Sequence, residues 1–396
     1  MKLLVATDAH IFKTSDGKYW CKSIYGYKFW KRYLEVFEKV KIVARVKEIP
    51  NLDEYKKLRV DGENVEVFEI PFYQGPIQLL LKYFKIHQKL KLAYNDCDVA
   101  LFRMPSQTAY MTYQHKKKGM PFAGEIVYDP TDDLKDKKEG LIINIINRRI
   151  SAQLKNFCRK ANGVAYVTEN TIQKNYPSRA RLYGENEKNF ETFYSTITLE
   201  ESFYTQPRCF KDKKNFKLIL TDVAMNSERK GERTLLYILK NLLDKGYDIS
   251  AIIVGDGRKK EEFINLAKFL EIRNKVEFTG LLASAEEVKK KLLEADIFVF
   301  PTKAEGLPRS ILEAMALGMP VLTSPVGGIP EIIDKEFLYD INDIEGYVNK
   351  ICSFFEKPEI LNEVSAKNFN KAYEFRNEVL QEKRNKFYKK LKNMIK

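Results

Sequence analysis

A chain of 396 residues with 44% hydrophobic content is longer than one core usually serves, so two domains are expected. It carries 68 Lys and Arg against 54 Asp and Glu, and the excess is uneven: residues 1–210 hold 35 bases and 25 acids, net +10, whereas residues 211–396 hold 33 and 29, net +4. No apolar run is long enough for a membrane helix, and five cysteines (Cys21, Cys97, Cys158, Cys209, Cys352) without a CxxC pair speak against a disulfide framework or a zinc site. The chain enters the strand-like KLLVATD without the pattern of a signal peptide, so a cytoplasmic protein is expected.

Along the first half, strand-like runs at 2–8, 40–46, 65–71, 98–105, 125–130 and 163–168 alternate with helical stretches, which predicts α/β order. Three stretches there, LLLKYFKIHQKLKLAY (79–94), YMTYQHKKKGM (110–120) and INRRISAQLKNFCRK (146–160), interleave bases with aromatic and aliphatic residues. Such stretches form surfaces that touch anionic membranes, or else merely solvated helix faces. No helix-turn-helix, RRM or zinc-finger pattern appears, so nucleic acid is not an expected partner. A polar, irregular segment (183–208) then precedes a second series of strands at 217–223, 249–257, 275–280, 296–302 and 320–327. The reading is two Rossmann-like domains, 1–205 and 206–371, facing across a cleft, with a basic amphipathic tail (372–396) returning to the first.

EGLPRSILEAMALGMPVLTSPVGG (305–328) carries the chemistry. Pro308 suits the first turn of a helix and Gly318 with Pro320 its end, so a helix over Pro308–Leu317 is predicted between the strands IFVFP and PVLTS. In such a βαβ unit ligands bind beyond the carboxyl ends of the strands, and the helix N-terminus offers free N–H groups to an anion. Glu305 falls on that loop, and Glu313 lies roughly 7–8 Å down the helix axis from Pro308. A ligand with hydroxyls at both ends and a diphosphate between them fits this spacing: a nucleotide sugar.

Together with VGDG (254–257), VEFTGLL (276–282) and ADIFVFPT (295–302), this block resembles glycosyltransferase family 4, retaining enzymes of the GT-B fold. The resemblance implies that Glu305 contacts hydroxyls of the transferred sugar, Glu313 the ribose, and the backbone from Gly306 and Leu307 through Pro308, Arg309 and Ser310 the diphosphate. Gly280 to Leu282 and the region of Thr302 would line the base pocket, with Gly255 on the same donor side. The family's basic motif is incomplete in TDVAMNSERKG (221–231): Lys230 and Gly231 match, but the arginine position falls near Ala224 or Met225. Arg229 either takes over that role or is a solvent-exposed neighbour.

The first half resembles the family only in its order of elements. Gly17 in DAHIFKTSDGKYW is the one residue there for close backbone approach to a phosphate. In VYDP, Tyr128 stands where many relatives carry a histidine, and Asp129 either polarises the acceptor hydroxyl or caps its own loop. The acids of DCD (96–98) and TDD (131–133) are set aside as metal ligands, since Lys230 and the helix N-terminus already supply positive charge. The expectation is a retaining hexosyl- or related transferase that needs no metal or cofactor. It would take a nucleotide sugar, UDP-linked before GDP-linked, and a glycan or lipid-linked acceptor for cell-surface polysaccharide, at the inner face of the membrane. Two other readings stay open: an isomerase like the nucleotide-sugar 2-epimerases, and a catalytically silent GT-B binding subunit.

Overall fold

The computed structural model describes residues 1–50, 58–131, 141–211 and 213–395. The chain divides into two compact units, Met1–Tyr194 with Leu380–Lys396, and Ser195–Val379.

Among the described residues, the first unit is built on nine strands: β1 (Lys2–Lys13), β2 (Tyr19–Cys21), β3 (Lys39–Glu48), β4 (Leu58–Arg59), β5 (Val65–Pro71), β6 (Val99–Met104), β7 (Phe122–Ile126), β8 (Gly163–Tyr166) and β9 (Phe190–Phe193). Seven pair in parallel in the order β5-β3-β1-β6-β7-β8-β9, and β2 and β4 add an antiparallel flap on β1. Helices α1 (Tyr27–Leu34), α2 (Gly75–Leu90), α3 (Gln107–Gln114), α4 (Leu141–Lys160), α5 (Thr171–Asn175) and α6 (Arg179–Tyr183) connect them. Strands such as VALFRM, buried along their whole length, read as continuous apolar runs because both faces are covered. β1 runs well past the expected Asp8: after a register shift between Ala6 and His10 it continues beside β3 to Lys13.

The second unit holds a five-stranded parallel sheet of β10 (Phe216–Ala224), β11 (Ile249–Asp256), β12 (Val276–Gly280), β13 (Ile297–Phe300) and β14 (Val321–Thr323), ordered β12-β11-β10-β13-β14. Around it lie α7 (Glu232–Asp244), α8 (Lys260–Phe269), α9 (Ala285–Glu294), α10 (Arg309–Ala316), α11 (Ile344–Glu356) and α12 (Glu359–Tyr373). Ser284 caps α9 by accepting from the Glu287 N–H, and Asp343 caps α11 by accepting from Gly346. The chain enters this unit at Ser195, ahead of the boundary expected at 205/206, because residues before 205 already pack here: Leu199 accepts from Asn377 N–H at 3.1 Å and Tyr204 donates to the Ala372 carbonyl at 3.0 Å. Arg208 donates to the terminal carbonyls Leu292 of α9 and Leu317 just past α10, where the helix dipole favours a cation.

The last helix, α13 (Asn377–Lys392), joins the first unit from Leu380 on. Its Tyr388 donates to Glu125 at 2.7 Å; Tyr194 and Tyr33 donate to the same buried carboxylate, and Arg103 forms its ion pair. A buried charge is tolerable only when it is fully paired, and here four partners from four separate segments pair it.

Candidate functional site

In the five-stranded sheet the chain proceeds outward from β10 through β11 to β12, then returns to lay β13 on the opposite side of β10. That reversal leaves a crevice at the carboxyl ends of β10 and β13, the place where open α/β sheets take ligands. Lys230 follows β10 and Glu305 follows β13, and the structure brings them together: Lys230 Nζ forms an ion pair with Glu305 Oε1 and lies 5.1 Å from the Phe300 ring centre. Neither is deeply buried, with 27% and 14% of their side chains exposed, so both remain within reach of a ligand. The two loops are also tied through the backbone. The Arg229 carbonyl accepts from Thr302 Oγ1 at 3.2 Å and from Lys303 N–H at 2.9 Å, and Arg229 Nε donates to the Ala304 carbonyl at 3.3 Å. Arg229 is therefore half-buried against the loop that carries Glu305, not a solvent-exposed neighbour.

Glycines let these loops approach. Gly231, at φ +88°, would place a Cβ 2.2 Å from the Pro301 carbonyl oxygen, so only glycine follows Lys230 here. Gly327, at φ +54°, would place one 1.8 Å from the Glu305 carbonyl oxygen, and Gly328 N–H donates to the Gly306 carbonyl at 2.6 Å. The Val-Gly-Gly turn thus forms the wall behind Glu305. Gly255 packs against the Asp222 carbonyl, and Gly280, where β12 ends, faces the Asp256–Lys260 pair. Leu282 lies just beyond, half-buried.

Pro308 is the N-cap of α10, so the helix begins at Arg309, one place later than predicted. Arg309 is exposed and Ser310 half-buried on its first turn, with Gly306 and Leu307 buried before it. The first N–H groups of the helix have no intrahelical acceptor, and the helix begins four residues after Glu305. Glu313 lies one turn farther along α10, half-buried. It has no hydrogen-bond or ion-pair partner among the described residues. Burial pushes its carboxyl up despite the nearby Arg309. A carboxylate held in this way is short of hydrogen-bond donors.

In the first unit the picture differs. Gly17, at φ +80°, is exposed at the tip of the β1–β2 hairpin, and its N–H donates to the Thr14 carbonyl at 2.9 Å. Its freedom serves a turn, and the N–H that a phosphate would need is occupied. Asp129 is buried, and its carboxylate accepts from Thr131 N–H, Thr131 Oγ1, Tyr176 OH and Asn175 Nδ2, all between 2.7 and 2.8 Å. With four donors it caps its loop; it is not a free base. Of DCD, Asp96 pairs with Lys2 and Lys41 and Asp98 accepts the Lys2 N–H, so those acids anchor strand ends. The second and third residues of TDD lie outside the described residues. His87 and His115 bond to each other at 2.8 Å, and His10 packs on Phe72. A pocket of about 120 Å³ opens where β1 and β6 part, lined by Asp8, Pro105, Ser106, Tyr110, Tyr128 and Gln153 among others.

Residues 208–371 match the glycosyl transferases group 1 family. The chain carries a group 1 glycosyl transferase domain. Over 346 residues it is 28% identical to protein CapJ of Staphylococcus aureus, covering 87% of this chain and 84% of that one. A shorter match, 29% over 146 residues, is to the putative colanic acid biosynthesis glycosyltransferase WcaL of Escherichia coli K12 and spans 35% of this chain and 36% of that protein. Among solved structures, HepE of Anabaena in complex with UDP-glucose superposes with a TM-score of 0.65 at 15% identity, covering 99% of this chain and 100% of that one. The family resemblance and the GT-B class therefore hold, and glycosyltransferase is the enzyme class.

One pair in this transferase was not anticipated. Glu232, in the first turn of α7 two places after Lys230, is fully buried with both carboxyl oxygens unpartnered by any donor among the described residues. It faces Asp222, itself buried, and burial together with that carboxyl pushes the Glu232 pKa up to about 8. The raised pKa favours the protonated form of Glu232 beside Asp222. Sequence offered one hint, an acid in an otherwise apolar helix register, and that is too common to single out.

Proposed function

We propose that this enzyme transfers a hexosyl or related sugar from a nucleotide sugar, UDP-linked by preference, with retention at the anomeric carbon and without a metal ion. The acceptor is a glycan or lipid-linked glycan of cell-surface polysaccharide biosynthesis, at the inner face of the cytoplasmic membrane. The observation that carries the reading is the Lys230–Glu305 pair at the switch point of the second sheet, with α10 beginning four residues after Glu305. HepE, solved with UDP-glucose, supports the carrier, and the name of WcaL supports the polysaccharide.

As the bond from anomeric carbon to diphosphate breaks, the sugar becomes oxocarbenium-like and negative charge grows on the leaving phosphate. Lys230 and the amides at the start of α10 stabilise that growing charge, and being fixed before reaction they pay no reorganisation cost as it develops. In the free protein Glu305 holds Lys230 in place. Donor binding exchanges that pair, sending Lys230 to the phosphate and Glu305 to sugar hydroxyls, while Glu313 gains the ribose hydroxyl donors it lacks. Removing Lys230 therefore lowers turnover more than it weakens nucleotide binding.

The test is product analysis after incubating the protein with labelled UDP- and GDP-sugars and a membrane-extracted acceptor, with and without excess chelator. Transfer with retained configuration in both conditions is expected. A strict divalent-metal requirement would remove the metal-independent part. Formation of a 2-epimer would replace this reading by the isomerase, and binding without turnover would replace it by the silent subunit.

A further inference from the structure

Helix α2 carries a face that the fold does not use. Ile86 and Leu90 point into the core of the first unit, whereas Ile77, Leu80, Leu81 and Phe84 are between 75% and 81% exposed. Their spacing of i, i+3, i+4 and i+7 places all four on one side of the helix, a continuous apolar ridge. Leu92, 58% exposed, extends the apolar surface just beyond the helix, and Tyr83 is partly exposed beside it. Four large apolar side chains in one helical stripe go beyond the scattered exposed residues of an ordinary surface.

What covers the ridge is indicated by charge. Between Glu69 and Asp96 the chain has no acidic residue, and it has four lysines, Lys82, Lys85, Lys89 and Lys91. Lys82 is committed inward, its Nζ donating to the Phe72 carbonyl at 2.5 Å. Lys85, Lys89 and Lys91 are exposed along the ridge. A second copy docking through the same face would set these lysines against one another. An acidic lipid surface meets both features at once, headgroups for the ammonium groups and acyl chains for the ridge.

We infer that α2 is a membrane-inserting element: Ile77, Leu80, Leu81 and Phe84 enter the acyl boundary of an anionic bilayer while Lys85, Lys89 and Lys91 engage its headgroups. This rests on the proposed membrane-face location and goes further, because charge alone would hold the protein at the headgroups and be released by salt. The basic stretch at 110–120 contributes less than its sequence suggests, whereas Arg148 and Arg149 are exposed. Lys116 is turned to the carbonyls of Lys117 and Met120 and lies over Phe122, leaving Lys117 and Lys118 exposed.

The experiment is co-sedimentation of the full chain with phosphatidylglycerol/phosphatidylcholine vesicles and with phosphatidylcholine alone, at low and high salt, for wild type and the double variant Leu81→Gln, Phe84→Gln. Thermal unfolding and UDP titration serve as controls for folding and for the donor site. The wild type is expected to bind anionic vesicles and to keep a salt-resistant fraction, whereas the double variant binds at least tenfold more weakly, loses that fraction, and unfolds and binds UDP as the wild type does. Equal vesicle binding by the folded variant overturns the insertion. A wild type that is dimeric by light scattering, with a monomeric variant, overturns it in favour of a second copy. Absence of vesicle binding by the wild type overturns both the insertion and the membrane-face location, while transfer to a detergent-dispersed acceptor reports separately on the transferase reading.

Discussion

The two units of this chain use similar sheets in different ways. In each, a crevice opens where the strand order reverses, at β10/β13 in the second unit and at β1/β6 in the first. In the second, Lys230 pairs with Glu305 at the crevice, and Glu313 has no hydrogen-bond or ion-pair partner among the described residues. In the first, the conspicuous candidates are consumed by structure: Asp129 by four donors, Asp96 by two lysines, Gly17 by a hairpin. Donor chemistry imposes residue types on a short stretch of chain, whereas the acceptor side is assembled from loops with no common pattern.

The contrast is broken most easily at Glu305. Glu305→Ala should cut turnover at least a hundredfold, the scale of about 2.7–4 kcal/mol for a lost transition-state contact. Steady-state rates against a fixed acceptor measure it, and a variant within tenfold of wild type would remove Glu305 from the reaction. Next come the glycines. Gly327→Ala should drive a Cβ into the Glu305 carbonyl from a left-handed backbone, costing about 3 kcal/mol of stability and most of the activity. Gly17→Ala meets nothing within 4 Å and should cost only about 1 kcal/mol of backbone strain with turnover unchanged. If Gly17→Ala instead abolished donor use, the hairpin reading of Gly17 would be wrong.

Smaller effects sharpen the comparison from the stability side. Tyr388→Phe removes one of the donors to the buried Glu125 and should cost about 1.5–3 kcal/mol in denaturant unfolding while leaving UDP affinity intact. A UDP affinity that fell with it would couple the first unit to the donor site. Glu232→Gln should act in the opposite direction. Because the folded pKa of Glu232 lies above its ordinary value, the folded state holds a proton that the unfolded chain releases, so this group's contribution falls as pH rises from about 4.5 through about 8. The glutamine keeps the hydrogen bond to Asp222 without the proton, and should flatten that slope and add about 1 kcal/mol at pH 8. Unfolding curves at pH 5 and pH 8 check it; an unchanged slope would mean that Glu232 does not hold an extra proton in the folded state.

Much of the second unit was legible because its signals are local. The strands of its sheet begin and end within a few residues of the expected places, apart from β14, which stops at Thr323. Pro308 and Gly318 bracket α10 as their backbone preferences dictate. The walls of the site were less legible. Nothing in the sequence states that Gly327 must lie against the Glu305 carbonyl, since that approach joins two loops through the fold. In the first unit β2, β4 and β9 are only two to four residues long, below what alternation can reveal, and β9 lay inside a stretch read as irregular. The Glu125 network draws on residues 33, 103, 194 and 388, a separation that no window of sequence connects.

The central claim is that Glu305 and Glu313 flank one nucleotide sugar and serve different parts of it. Calorimetric titration of UDP into the wild type, Glu305→Ala and Glu313→Ala tests it most directly. With Glu305 gone, Lys230 is released toward the diphosphate, so UDP should bind at least as tightly as before. With Glu313 gone, the ribose contact is lost and affinity should fall by about 1.5–3 kcal/mol, roughly tenfold or more. Weaker UDP binding in Glu305→Ala together with an unchanged dissociation constant in a folded Glu313→Ala would contradict the assignment of both glutamates.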